Sequence, residues 1–212
     1  MDKYFIQLAL DRMNIEEAIR LTQKVEENVG WIEIGTSLIK EFGMKSVRSF
    51  RNAFPEKMLL ADMKIIDNAR YECDLAFTAG ANVVTVMGCG PLITVQLVAE
   101  TARNANQNFM IDLLNTTEKQ QILLRDTFPD AIFCLHTSKD QQERTGDTFR
   151  SNDIGWNGRR IAVAGGLNEE TLPPIIVQLR PEIFIIGSSI TKATNPVAAI
   201  RTYQQIIKDN QF

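Results

Sequence analysis

The chain has 212 residues, 44% of them apolar and 23% charged, with a formal net charge of −3. That length fits one domain, residues 1–212, with a full core, and the weak charge with no basic run gives nucleic acid or a membrane surface no electrostatic footing as a partner. The apolar runs are strand-sized and short of a membrane span, the opening stretch is too short and wrongly flanked for a signal peptide, and Cys73, Cys89 and Cys134 lack pairing or metal spacing, which points to reduced thiols in a cytoplasm.

Apolar runs of strand length occur at 4–10, 31–34, 58–61, 82–87, 108–114, 131–135, 160–164 and 182–186. The first ends at Asp11, and Asn14 then reads as the N-cap of a helix from Ile15. The second carries Glu33. The third runs into Asp62-x-Lys64-x-x-Asp67; side chains two apart share a strand face, so Asp62 and Lys64 are expected to emerge together, with Asp67 just beyond. A helix over 72–79 closes at Gly80, as at a C-cap. The fourth run holds Thr85 and leads to Gly88-Cys89-Gly90. Ile93 stands where a dinucleotide fingerprint needs its third glycine, so this is a tight turn between strand and helix. The fifth run contains Asp112 and the sixth leads to His136. The polar stretch 138–157 reads as a long loop with a short helix. Gly165-Gly166 and Gly187-Ser188 follow the last two runs, and Asn195-Pro196 opens a final helix over 197–208.

Near-continuous apolar runs, rather than alternating ones, indicate parallel strands covered on both faces. Eight strand–helix units in this length predict an α/β fold, a (β/α)8 TIM barrel, with a doubly wound open sheet as the alternative. In a barrel the strands' C-terminal ends form the active site. Those ends hold Asp11, Glu33, Asp62 with Lys64, Thr85, Asp112, His136, Gly165-Gly166 and Gly187-Ser188. Unpaired buried carboxylates are costly, so the ring must be satisfied by mutual pairing, a metal or a ligand. Glu33 and Asp62 are hard oxygen donors suited to Mg²⁺. Lys64 is placed to pair with Asp62 and to stabilise an oxyanion. His136 is the candidate for proton transfer, while Cys134, a layer deeper, is a small apolar filler rather than a nucleophile. The two glycine turns suit a phosphate held by backbone amides, with no lysine or arginine inside either turn.

Several segments together carry a resemblance that runs end to end: Leu8-Ala9-Leu10-Asp11, Ile32-Glu33-Ile34-Gly35-Thr36, Ala61-Asp62-Met63-Lys64-Ile65-Ile66-Asp67, His136-Thr137, Ala162-Val163-Ala164-Gly165-Gly166 and Gly187-Ser188-Ser189-Ile190-Thr191. The chain resembles the 3-hexulose-6-phosphate synthases of the orotidine-5′-monophosphate decarboxylase suprafamily. The resemblance implies that Glu33 and Asp62 hold Mg²⁺ and that Lys64 supports an enediolate. It implies that Asp11, Asp112 and Lys139 meet the sugar, and that backbone groups near Gly165, Gly166, Gly187 and Ser188 hold its phosphate. Asp67 would reach into a partner's site, making the working unit a homodimer with shared sites.

The implied reaction is a metal-dependent aldol addition of formaldehyde to D-ribulose 5-phosphate, with His136 and Lys64 at the reacting atoms. Orotidine-5′-monophosphate decarboxylases carry lysine where Glu33 stands. The nearer alternative is 3-keto-L-gulonate-6-phosphate decarboxylase. Asp112, Ala164 and Ser188 fit the synthase pattern, whereas Lys139 leans toward the decarboxylase. Gln141-Gln142-Glu143-Arg144-Thr145-Gly146, which lacks the synthases' small Ala-Ala pair, and Asn68-Ala69 depart from the pattern at the rim. A phosphosugar-binding barrel without catalysis is the reading from a different class.

Overall fold

The computed structural model describes residues 4–145, 154–156 and 158–210. Eight strands, β1 (Phe5–Leu10), β2 (Trp31–Ile34), β3 (Met58–Ile65), β4 (Val83–Met87), β5 (Asn108–Asp112), β6 (Ile132–His136), β7 (Arg160–Ala164) and β8 (Ile183–Ile186), pair in parallel in chain order. β8 pairs back to β1, which closes the (β/α)8 TIM barrel and rules out the open sheet. The helices are α1 (Ile15–Val25), α2 (Thr36–Phe42), α3 (Met44–Ala53), α4 (Ala69–Thr78), α5 (Leu92–Asn104), α6 (Glu118–Thr127), α7 (Lys139–Thr145), α8 (Leu172–Leu179), α9 (Ser188–Thr191) and α10 (Pro196–Asn210). No helix among the described residues is long and apolar enough to cross a membrane.

Period-two alternation explains why the strands read as unbroken apolar runs. On β7, Ile161 and Val163 pack outward with the helices, while Ala162 and Ala164 pack inward. Trp31, Leu60, Val83, Met110, Ile132, Cys134, Ile183 and Ile185 belong to the same inner cluster. Following each inner face toward its C-terminal end reaches the polar ring: Trp31 precedes Glu33, Leu60 precedes Asp62, Val83 precedes Thr85, Met110 precedes Asp112, and Cys134 precedes His136. The lower barrel is therefore plugged with apolar side chains and the upper barrel is a polar cup.

Local chemistry sets most boundaries. Asn14 caps α1 in a reciprocal box, its side chain accepting from the Glu17 amide at 2.8 Å, and Thr117 with Gln120 opens α6 in the same way. α4 starts at Ala69, three residues earlier than the pattern predicts, because left-handed Asn68 (φ 56°) turns the chain into the helix. β5 stops at Asp112, where that carboxylate accepts from the Leu114 amide at 2.9 Å and bends the chain.

The largest departure from expectation is in β3. Ala61 pairs with Val84 but Ile65 pairs with Val86, so β3 carries two extra residues here. Lys64 sits in the left-handed region at φ 48°, and its amide donates to Thr85 Oγ1 at 2.8 Å. Asp62 and Lys64 do share the cup, but through a bulge that folds the lysine back rather than through regular alternation. The short helix expected after His136 is α7. The rest of that stretch, residues 146–153 and 157, including Gly146, lies outside the described residues.

Candidate active site

A cavity of about 900 Å³ opens at the C-terminal end of the barrel. Asp11, Glu33, Asp62, Lys64, Asp112 and His136 line it, and so do Lys139, Gly165, Gly166, Gly187 and Ser188. Asp67 does not join them: it is exposed, and its Oδ1 accepts from the Asn68 amide at 2.8 Å.

Asp112 is the hub. Its side chain is buried, and its Oδ2 accepts from Lys64 Nζ at 2.9 Å and pairs with His136 Nδ1 at 2.9 Å. Oδ1 takes the Leu114 amide. Burial alone would raise its pKa, but the bonds and charges of His136 and Lys64 outweigh that and hold the carboxyl well below the usual range. Asp112 thus holds Lys64 and His136 together on one oxygen while it lines the cavity.

Lys64 Nζ also lies 3.1 Å from both oxygens of Asp62. Burial would lower its pKa; Asp62 and Asp112 more than reverse this, so the ammonium is firmly protonated. Asp62 is fixed by two hydroxyls, Thr36 Oγ1 donating to Oδ2 at 2.5 Å and Thr85 Oγ1 to Oδ1 at 2.8 Å. Thr36 was not foreseen from sequence, since a threonine after Gly35 looks only like a helix start. Gln7, whose Nε2 donates to Glu33 Oε2 at 2.5 Å, was hidden inside an apolar run.

Glu33 is the strained member electrostatically. Burial, and then the neighbouring charge of Asp62, push its pKa up to about 8. Two crowded buried carboxylates are what a divalent cation relieves. Among the described residues no group of three or more His, Cys, Asp or Glu is arranged to hold a metal by itself. Two carboxylates in a roomy cup still fit Mg²⁺, which keeps several waters and commonly takes only one or two protein carboxylates.

Around the rim, Asp11 Oδ1 accepts from the amide and hydroxyl of Ser37 at 3.0 and 2.7 Å, capping the first turn of α2 from a neighbouring strand. A Cβ on Gly35 would strike that Asp11 carboxylate, so the close approach needs glycine. Gly165, at φ 88°, packs where a Cβ would strike the Thr137 carbonyl. Lys192, just past α9, lines the cavity with Gly187 and Ser188; it supplies a cation near the glycine turns that a search inside the turns themselves misses. Lys139 is about half exposed, with Nζ 3.7 Å from Glu143, which also lies 3.4 Å from Arg12. Cys134 is buried and its thiol pKa is raised by burial, in keeping with a filler role.

Known proteins share this architecture. The chain is 32% identical over 206 residues to a 3-hexulose-6-phosphate synthase of Bacillus subtilis, covering 95% of this chain and 98% of that one. A crystal structure of 3-hexulose-6-phosphate synthase from Salmonella typhimurium superposes with a TM-score of 0.87 at 30% identity, over 98% of this chain and 100% of the other. A 3-keto-L-gulonate-6-phosphate decarboxylase from Vibrio cholerae superposes with a TM-score of 0.86 at 25% identity, with each chain covered in full (100%). Residues 4–203 match the Orotidine 5'-phosphate decarboxylase / HUMPS family, and the chain belongs to it.

Proposed function

We propose that the protein catalyses Mg²⁺-dependent aldol addition of formaldehyde to D-ribulose 5-phosphate, giving D-arabino-hex-3-ulose 6-phosphate. Its curated relatives at about 30% identity are synthases of that name over nearly the whole chain, and the protein is an enzyme of that lyase class. The observation that carries the chemistry is Asp112, whose one oxygen meets both Lys64 and His136 in the same cup as Glu33 and Asp62.

Glu33 and Asp62 would hold the metal, which when bound supplies Lewis-acid stabilisation of negative charge on the sugar's oxygens. His136 has Nδ1 engaged by Asp112. An Nδ1–H tautomer directed at that carboxylate leaves Nε2 with its lone pair free for a substrate proton. Nε2 takes the proton from C1 of the sugar, and the electron pair left at C1 delocalises toward the carbonyl as an enediolate. Lys64 Nζ, held protonated by two aspartates, donates to the enediolate oxygen. C1 attacks the formaldehyde carbon, and the proton on Nε2 goes to the new alkoxide. The protons balance, and His136 returns to its starting state. Asp11 binds sugar hydroxyls, and Gly165, Gly166, Gly187 and Ser188, with Lys192 nearby, hold the phosphate.

The alternative, 3-keto-L-gulonate-6-phosphate decarboxylation, has Lys139 in its favour, because a cation lining the cavity there would organise proton delivery. Asp112 and Ala164 favour the synthase. The working unit in this reading is a cytoplasmic homodimer in which Asp67 enters the partner's site; exposed Ile66 and Tyr71 beside it are the apolar surface such a contact would cover.

Exchange of the C1 proton of D-ribulose 5-phosphate with deuterium, followed by NMR, tests the mechanism. His136→Asn is expected to slow exchange by at least about 100-fold while sugar-phosphate binding is largely retained. Wild-type exchange in that variant would remove His136 as the base, and no exchange in the native protein would leave only a binder.

A further inference from the structure

Gln7 is polar at a depth where the barrel interior is otherwise apolar. It sits on β1 opposite Trp31 of β2 and Ile185 of β8, one inward position below Ala9, which lies opposite Glu33. It is fully buried, at 0% exposure. Its Nε2 donates to Glu33 Oε2 at 2.5 Å, while its Oε1 is buried with no partner. An unmatched amide oxygen in an apolar layer works against stability. Leucine or methionine would fill the same space without that cost. Packing therefore does not explain Gln7, and its bond to Glu33 does.

Among the described residues, Gln7 is the one side chain that donates a hydrogen bond to the Glu33 carboxylate. Glu33 has three rotatable side-chain bonds, and anchoring one oxygen fixes where the other points. Asp62, its neighbour in the cup, is held in the same manner by Thr36 and Thr85. Hydrogen bonds of this kind orient carboxylates that ligate metals and tune their affinity.

We propose that Gln7 is a positioning residue whose amide fixes the Glu33 carboxylate in the orientation a divalent cation requires. The assignment rests on the metal reading of Glu33 and Asp62. It adds a residue that touches neither the cation nor the substrate.

The test uses the full-length chain freed of metal, with Mg²⁺ titrated by calorimetry and Mn²⁺ by electron paramagnetic resonance. Gln7→Leu and Gln7→Met are compared with the native protein, and the Tm of each metal-free protein is measured alongside. The expected result is a Kd for both cations raised about 10–100-fold with Tm unchanged or higher. That split separates positioning from support of the barrel, because a structural role would lower Tm. An unchanged Kd in both variants overturns the assignment, as does a weaker Kd accompanied by a lower Tm in both. If the native protein binds neither cation, the metal reading itself falls and this assignment falls with it. A native protein that binds while both variants bind equally well removes Gln7 alone.

Discussion

One oxygen of Asp112 meets an ammonium and an imidazole at once, so a single carboxylate ties Lys64 to His136, while Asp62 and Asp112 together keep the ammonium charged. Glu33 has the opposite electrostatic situation. Its carboxyl holds a proton more tightly in the folded protein, with a pKa of about 8, than at its ordinary value of 4.5. A group raised in this way contributes stability that is full below the unfolded value and is lost as pH rises through the folded one. The metal-free protein should therefore lose Tm between about pH 5 and pH 8, and Glu33→Gln should flatten that slope. Added Mg²⁺ should restore Tm near pH 8 in the native protein but not in Glu33→Gln, since cation binding displaces the proton. Melting curves across pH, with and without Mg²⁺, check both statements.

At the scale of elements, the two glycine turns and the β3 bulge determine how the cup is shaped. Gly165→Ala adds a Cβ at φ 88° against the Thr137 carbonyl. It should cost more than about 1 kcal/mol in urea unfolding and weaken sugar-phosphate binding, since the turn must move to relieve the contact. Strand positions and the polar ring were legible in the sequence because barrel strands are apolar on both faces until their C-terminal ends. Asp62 and His136 each stand where an apolar run gives out, Glu33 and Asp112 lie within the last residues of theirs, and alternation carries all four inward. The β3 bulge was not legible. Period two assumes regular pairing, whereas the two extra residues and the left-handed Lys64 depend on the Thr85 hydroxyl of the next strand. Gln7 and Thr36 were hidden for the same reason: their meaning lies in which carboxylate they reach across the barrel. Asp112 was visible as a site residue, but its role as a hub emerges only once Lys64 and His136 are seen on the same oxygen.

For the whole molecule, a single chain assembles every proposed site residue except Asp67. That residue stays on the outer surface beside exposed Ile66, with Tyr71 on α4 61% exposed nearby. In the homodimer reading, Tyr71→Glu buries a charge against the partner and should shift the protein toward monomer in sedimentation velocity, with turnover falling together with the dimer fraction. Asp67→Asn should leave the dimer intact and lower turnover alone. A monomeric native protein at full activity would exclude shared sites. The most direct measurement of the central claim is formaldehyde consumption in the presence of D-ribulose 5-phosphate and Mg²⁺, with and without a chelator. Rapid consumption that stops on chelation and returns with Mg²⁺ is the result expected of Glu33 and Asp62 holding the metal in a synthase. Consumption that is absent, or that continues undiminished in chelator, would contradict it.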